Sequence, residues 1–193
     1  MKKTSLFALG ALVCLALPAM AEEPGMNAEA MAAWQEMMTP GPHHEHMAKM
    51  AGDWTVHSKM MMDPSAPPME TDGTAHMEME ANGLFLRETV HSPMMGMPWE
   101  GHGVFGFDKG LNKHVAIWYD SFGSMIMNFE GGCTDNCGQV TLVSDYTDPM
   151  TNQPAQMKIV SSMTDADHMT NKMYSVADGK DTMMGEILYT RKK

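Results

Sequence analysis

Thr39-Pro40-Gly41-Pro42-His43-His44-Glu45-His46-Met47-Ala48-Lys49-Met50-Ala51-Gly52-Asp53-Trp54-Thr55-Val56 is the stretch around which the chain is arranged. It carries two signals. His43, His44 and His46, with Met47 and Met50, crowd imidazoles and thioethers into eight residues, a donor set that suits soft metal ions. Gly52-Asp53-Trp54 then opens a run in which Trp54, Val56, Ser58 and Met60 alternate with Thr55, His57 and Lys59. That period of two is the mark of a half-buried strand.

Upstream, Asn27 is a candidate N-cap for a helix over about 28–38, with Met31, Trp34, Met37 and Met38 on one apolar face. Thr39-Pro40-Gly41-Pro42 stops it. A shorter helix is expected from His43 to Ala51, ended by Gly52. Residues 22–53 therefore read as an N-terminal helical segment.

Downstream, Thr71, Gly73, Ala75, Met77 and Met79 alternate cleanly with polar residues, and Asn82-Gly83 is a hairpin turn signal. Further strands are expected over about 84–91, 98–107, 114–120, 125–131, 139–146, 155–164, 169–176 and 182–190, separated by turns such as Asp108-Lys109-Gly110 and Asp178-Gly179-Lys180. About ten short strands, with no helical run among them, predict an all-β antiparallel meander over 54–193. Such a meander removes its edges best by closing into an up-and-down barrel.

The first 21 residues read as a secretory signal peptide. Lys2 and Lys3 precede an apolar run, Ser5 to Pro18, too short to span a bilayer, and Ala19-Met20-Ala21 is a cleavage site of small-x-small type. The expectation is a periplasmic or secreted protein. No later stretch reaches the length of a membrane span. The formal charge is −11, and loss of Lys2 and Lys3 lowers it by two more. A surface this acidic repels phosphate backbones and anionic lipid, which argues against nucleic-acid partners and membrane insertion.

Of the three cysteines, Cys14 falls in the leader, leaving Cys133 and Cys137. In an exported chain these two are expected to form a disulfide across a tight turn, worth about 2 kcal/mol on the loop-entropy account. A thiolate metal pair is the rival reading. Methionine is the compositional anomaly, at 26 residues.

The motifs, taken in order, resemble a known family. They are Gly41-Pro42-His43-His44 followed by Gly52-Asp53-Trp54, Met62-Asp63-Pro64, Gly96-Met97-Pro98-Trp99-Glu100-Gly101-His102-Gly103, Trp118-Tyr119-Asp120, Tyr146-Thr147-Asp148-Pro149-Met150-Thr151 and Glu186-Ile187-Leu188-Tyr189-Thr190-Arg191. This is similar to the bacterial domain of unknown function 1579, from about Met37 to the C-terminus. The resemblance implies a lipocalin-like β-barrel and carries no established activity. Gly52-x-Trp54 after a short helix is also similar to the lipocalin start. There the Trp plugs the closed end and an Arg of the last strand packs on its face. The resemblance implies Trp54 and Arg191 in those roles.

Three function classes follow. The first is a binding protein for a soft metal, copper or silver, through Met/His clusters. Its candidate ligands are His43, His44, His46, Met47 and Met50, with His91 and Met94 in a second cluster and Met60-Met61-Met62 in a third. Against it, methionine fills cores much as leucine does, and Met77, Met79, Met125, Met127, Met157, Met163, Met169 and Met173 fall at alternating strand positions. His44 and His102 sit at family-like positions. The surplus rests on His43, His46, Met47 and Met50. The second class is a carrier or sensor of a small apolar ligand, with Phe105, Trp118 and Met127 as wall residues. Its haem variant would use His76, His114 or His168. The third class is an enzyme. No nucleophile elbow, zincin helix or phosphate loop supports one.

Overall fold

The structure, a computed structural model, describes residues 27–61, 65–134 and 137–193. The expected leader lies outside them, as do Met62, Asp63 and Pro64. Two helices, α1 (Ala28–Met37) and α2 (Pro42–Ala48), precede ten strands. These are β1 (Gly52–Met60), β2 (Met69–Glu80), β3 (Phe85–Met94), β4 (Met97–Asp108), β5 (Lys113–Asp120), β6 (Met127–Cys133), β7 (Gln139–Thr147), β8 (Pro154–Met163), β9 (His168–Ala177) and β10 (Lys180–Arg191). Each pairs antiparallel with its neighbour in sequence, and β1 also pairs with β10, so the sheet closes as an up-and-down lipocalin-like barrel. Closure leaves no edge strand to template aggregation.

Alternation decides which side chains point inward. Trp54, Val56 and Ser58 of β1 are buried, as are Ala75 and Met77 of β2 and Leu86, Glu88, Val90 and Ser92 of β3. Turn chemistry sets the corners. Asn82 adopts φ 59° and Gly83 φ 85° in the short 3-10 turn between β2 and β3, conformations that asparagine and glycine tolerate best.

In such a meander the turns β2–β3, β4–β5, β6–β7 and β8–β9 share one end of the barrel with the start of β1. The other turns share the opposite end. We call the first the closed end, because α2 folds across it. Trp54 is fully buried there and its Nε1 donates to the Met50 carbonyl at 2.9 Å. The Arg191 guanidinium carbon lies 4.1 Å from the Trp54 ring centroid. Arg191 also donates from Nη1 to the Ala51 carbonyl (2.7 Å), from Nη2 to Lys49 (2.6 Å) and from Nε to Ala166 (2.9 Å). One side chain thus covers the plug and occupies carbonyls left open where α2 ends. Gly52 is required: its φ is 134°, and a Cβ there would sit 2.6 Å from Arg191 Nη1.

Two features sharpen the sequence reading. α1 is capped by Asn27, whose side chain accepts from the Ala30 N–H at 2.8 Å, but its apolar face is left largely open. Met31, Trp34, Met37 and Met38 are all exposed, because α2 already closes this end of the barrel. Of the methionines at alternating positions, Met77, Met127 and Met169 are buried and Met79, Met157, Met163 and Met173 are half-buried. Met125 is exposed, since β6 begins two residues later than its alternation suggests.

Candidate metal centre

Pro42 begins α2 with its φ already set and no N–H to lose. The next two histidines then diverge. His44 is buried and its Nδ1 accepts the Gly41 N–H at 3.1 Å. It caps the helix, so the nitrogen facing the backbone is committed to the fold. His43 stacks on Phe107, ring centroids 3.7 Å apart and planes within 8°, which aims its ring at the start of β5 and the end of β6.

There it meets three donors. His43 Nδ1 lies 3.1 Å from His114 Nε2, 3.3 Å from Cys137 Sγ and 3.8 Å from Cys133 Sγ, and His114 Nε2 lies 3.9 Å from Cys137 Sγ. All four ligand atoms lie within 4.8 Å of one another. The elements explain the convergence. His114 opens β5 opposite Gly131 of β6, two residues before Cys133. The turn after β6 brings Cys137 back, with its N–H donating to the Thr134 carbonyl at 2.8 Å. A Cβ on Gly131 would lie 1.9 Å from the Thr141 carbonyl oxygen, so glycine lets β6 approach β7 closely here. The two cysteines are joined as a disulfide.

The spacing suits a tetrahedral ion. Metal–nitrogen bonds of about 2.0–2.1 Å and metal–sulfur bonds of about 2.3 Å place ligands roughly 3.3 Å (N to N), 3.5 Å (N to S) and 3.8 Å (S to S) apart. The N–N separation and three of the four N–S separations lie within about 0.4 Å of these values. The bonded sulfurs would have to part, and the His114–Cys133 pair, within 4.8 Å, would adjust with them. The His114 imidazole is also held in the metal-binding, neutral form. Burial, then the neighbouring His43, His46 and His44, pushes His114 down to about 4. His44 is lowered by burial, then by Lys109 and His43, against a raising hydrogen bond with the Gly41 backbone. His46 is lowered by burial, then by Lys49 and His43.

The expected metal set of His43, His44, His46, Met47, Met50, His91 and Met94 is therefore dispersed. Met47 is buried in the apolar core, with Met50 packed beside it. His91 and Met94 lie on β3 toward the open end, where the outward-facing His91 pairs with Glu100 at 3.3 Å. Of that set, His43 is itself one of the four donors, and His44 and His46 lie near enough to lower the pKa of His114. Of the haem candidates, His76 and His168 are exposed and bound to Asp53 and Asp165, while His114 belongs to the cluster. The union of His43, His114, Cys133 and Cys137 escaped the sequence reading. A signal was present: barrel order places the start of β5, the turn after β6 and α2 at the same end.

Inside the barrel, a cavity of about 50 Å³ is lined by Met47, Met77, Leu86, Glu88, Phe105 and Asn171, among others. That is room for roughly three or four waters and too little for haem. Phe105 lines it. Trp118 and Met127 do not; Met127 is buried in the neighbouring core cluster, with Trp118 packed against it. Glu88 is buried, and burial raises its pKa to about 7 despite a hydrogen bond from Tyr189 that lowers it. Glu88 Oε1 and Asn171 Oδ1 have no hydrogen-bond partner among the described residues.

A model of the family described as protein of unknown function (DUF1579) matches residues 39–191. The chain belongs to this family. No curated protein matches the DUF1579 chain. Among solved structures it is similar to Rv2717c from M. tuberculosis, with 13% identity, TM-score 0.61, and coverage of 80% of this chain and 100% of that one. It is also similar to the S-type phycobiliprotein lyase CPES from Guillardia theta, with 11% identity, TM-score 0.54, and coverage of 83% and 98%. At these identities the likeness shows the fold alone. Two of the motifs quoted above, Gly52-Asp53-Trp54 and the run ending in Arg191, build the Trp54–Arg191 closure.

Proposed function

We propose that this protein binds one tetrahedral d10 ion, Zn(II) or Cu(I), at its closed end. The ligands are His43 Nδ1, His114 Nε2 and the thiolates of Cys133 and Cys137. The observation that carries the reading is the convergence of four soft or borderline donors, from three separate parts of the chain, at near-tetrahedral spacing. Four protein ligands fill the coordination shell. That favours holding an ion over catalysis at it, since a catalytic ion keeps a position open for water or substrate. In this reading the leader directs export, and the protein holds metal outside the cytoplasm.

The test is metal uptake by the reduced full-length protein, read by native mass spectrometry against a competing chelator. One equivalent of Zn(II) or Cu(I) per chain is expected. His114→Ala or Cys133→Ser should weaken binding on the order of 100-fold or more, beyond what loss of an outer partner does. Uptake unchanged in both variants would sink the site.

The second reading is a small ligand in the barrel interior, favoured by the two lone acceptors Glu88 Oε1 and Asn171 Oδ1 on one cavity. A bound species would have to be compact and donate hydrogen bonds. Native mass measurement of the protein as purified checks it, and a mass equal to the bare chain argues against it.

A further inference from the structure

The same two sulfurs cannot be both disulfide and metal ligands, and their surroundings differ. Cys137 is buried (8% exposed), with His43 Nδ1 at 3.3 Å and His114 Nε2 at 3.9 Å. Cys133 is only half-buried, and its sulfur lies 3.8 Å from His43 Nδ1. Thiol–disulfide exchange depends on access to the attacked sulfur and on the stability of the leaving thiolate. Both criteria select Cys133 for attack and Cys137 to leave, into reach of ring nitrogens that can donate to it.

We infer that the metal centre is loaded and emptied by a dithiol–disulfide exchange partner that engages Cys133. The inference rests on the four-donor metal reading. In the loading direction, one thiolate of the partner's dithiol attacks Cys133 Sγ. The Cys133–Cys137 bond breaks and Cys137 leaves as a thiolate. The partner's second thiolate then attacks its own sulfur in the mixed disulfide, and Cys133 leaves as a thiolate. The partner departs oxidised by two electrons and the cysteine pair is reduced by two. The two thiolates and the two imidazoles then take the ion. In the opposite direction, an oxidised partner takes two electrons from the thiolates, the disulfide re-forms and the ion is expelled. The partner class is a protein or small molecule with a vicinal dithiol.

The decisive experiment uses the full-length protein in two arms, with dithiothreitol and oxidised glutathione as probes. In the first arm, wild type is treated with limiting dithiothreitol, quenched with acid and peptide-mapped. The mixed disulfide is expected on Cys133. Capture mainly on Cys137 overturns the assigned order of attack. In the second arm, zinc-loaded reduced protein is oxidised with glutathione disulfide. One ion should be released for every two thiols lost; retention of zinc after both thiols are consumed overturns the gate. A reduced protein that takes up no zinc fails the metal reading instead, while the first arm still reports on exchange at Cys133.

Discussion

The two ends of the barrel are built from the same kinds of residue and do different things. At the closed end α2 and the C-terminal strand fold over the opening, and their polar atoms are engaged. Arg191 reaches three backbone carbonyls, Trp54 reaches Met50, and His44 accepts from Gly41. At the open end the methionines are spread over hairpin tips. Met95, Met97 and Met150 are 61%, 54% and 91% exposed, beside exposed Ile126 and Phe122. The open end also holds a local run, His91 to Met97, in which the outward-facing His91 is committed to Glu100 and Met95 and Met97 are exposed at the hairpin tip. At the closed end His43 meets donors 71 to 94 positions away. A cluster in sequence is therefore a poor guide to a cluster in space. Convergence of strand ends is the better one.

If the closed end is the organised one, damage there should dominate stability. Arg191→Ala loses the ring contact and three charge-assisted hydrogen bonds and should cost about 4 kcal/mol, read from the urea midpoint. Arg191→Lys should recover only part of this, since an ammonium cannot reproduce the fork. A cost under about 1 kcal/mol would remove the distinction between the ends.

Glu88 gives the next largest effect. Its folded pKa of about 7 lies above the ordinary value of 4.5. Below 4.5 folded and unfolded states are both protonated and stability is unaffected. As pH rises from there, the unfolded chain releases its proton first, so stability falls until about pH 7 and then levels off. The loss should approach about 3 kcal/mol. Glu88→Gln should flatten the stability profile between these limits, and a profile that keeps its slope in the variant would contradict the burial argument.

Gly52→Ala should cost about 2 kcal/mol, from a positive φ and displacement of Arg191, without moving the apolar core. At the open end, Met97→Ala and Met150→Ala should change stability by less than about 0.5 kcal/mol, as exposed substitutions do. His91→Ala combined with Met94→Ala should leave metal uptake unchanged.

Much of the fold was legible. Period-two alternation located the ten strands because each buries one face, and closure followed because a meander of short strands removes its unpaired edges best as a barrel. Asn27 was readable because an N-cap is a local device. The apolar face of α1 was legible too, but periodicity reports amphipathicity and cannot report whether a partner surface covers it. The site was less legible. Cys133 and Cys137 were read as a pair, and His114 as one of three strand histidines. Joining them to His43 needs the register of β5 on β6 and the tilt that Phe107 imposes on His43. Neither is encoded within any short window of sequence.

The most direct test of the metal reading is X-ray absorption on the reduced, zinc-loaded protein. The account predicts two sulfur ligands near 2.3 Å and two nitrogen ligands near 2.0 Å, with the sulfur shell lost in Cys133→Ser combined with Cys137→Ser. An all-nitrogen or oxygen shell, or a spectrum unchanged by removal of the cysteines, would contradict it.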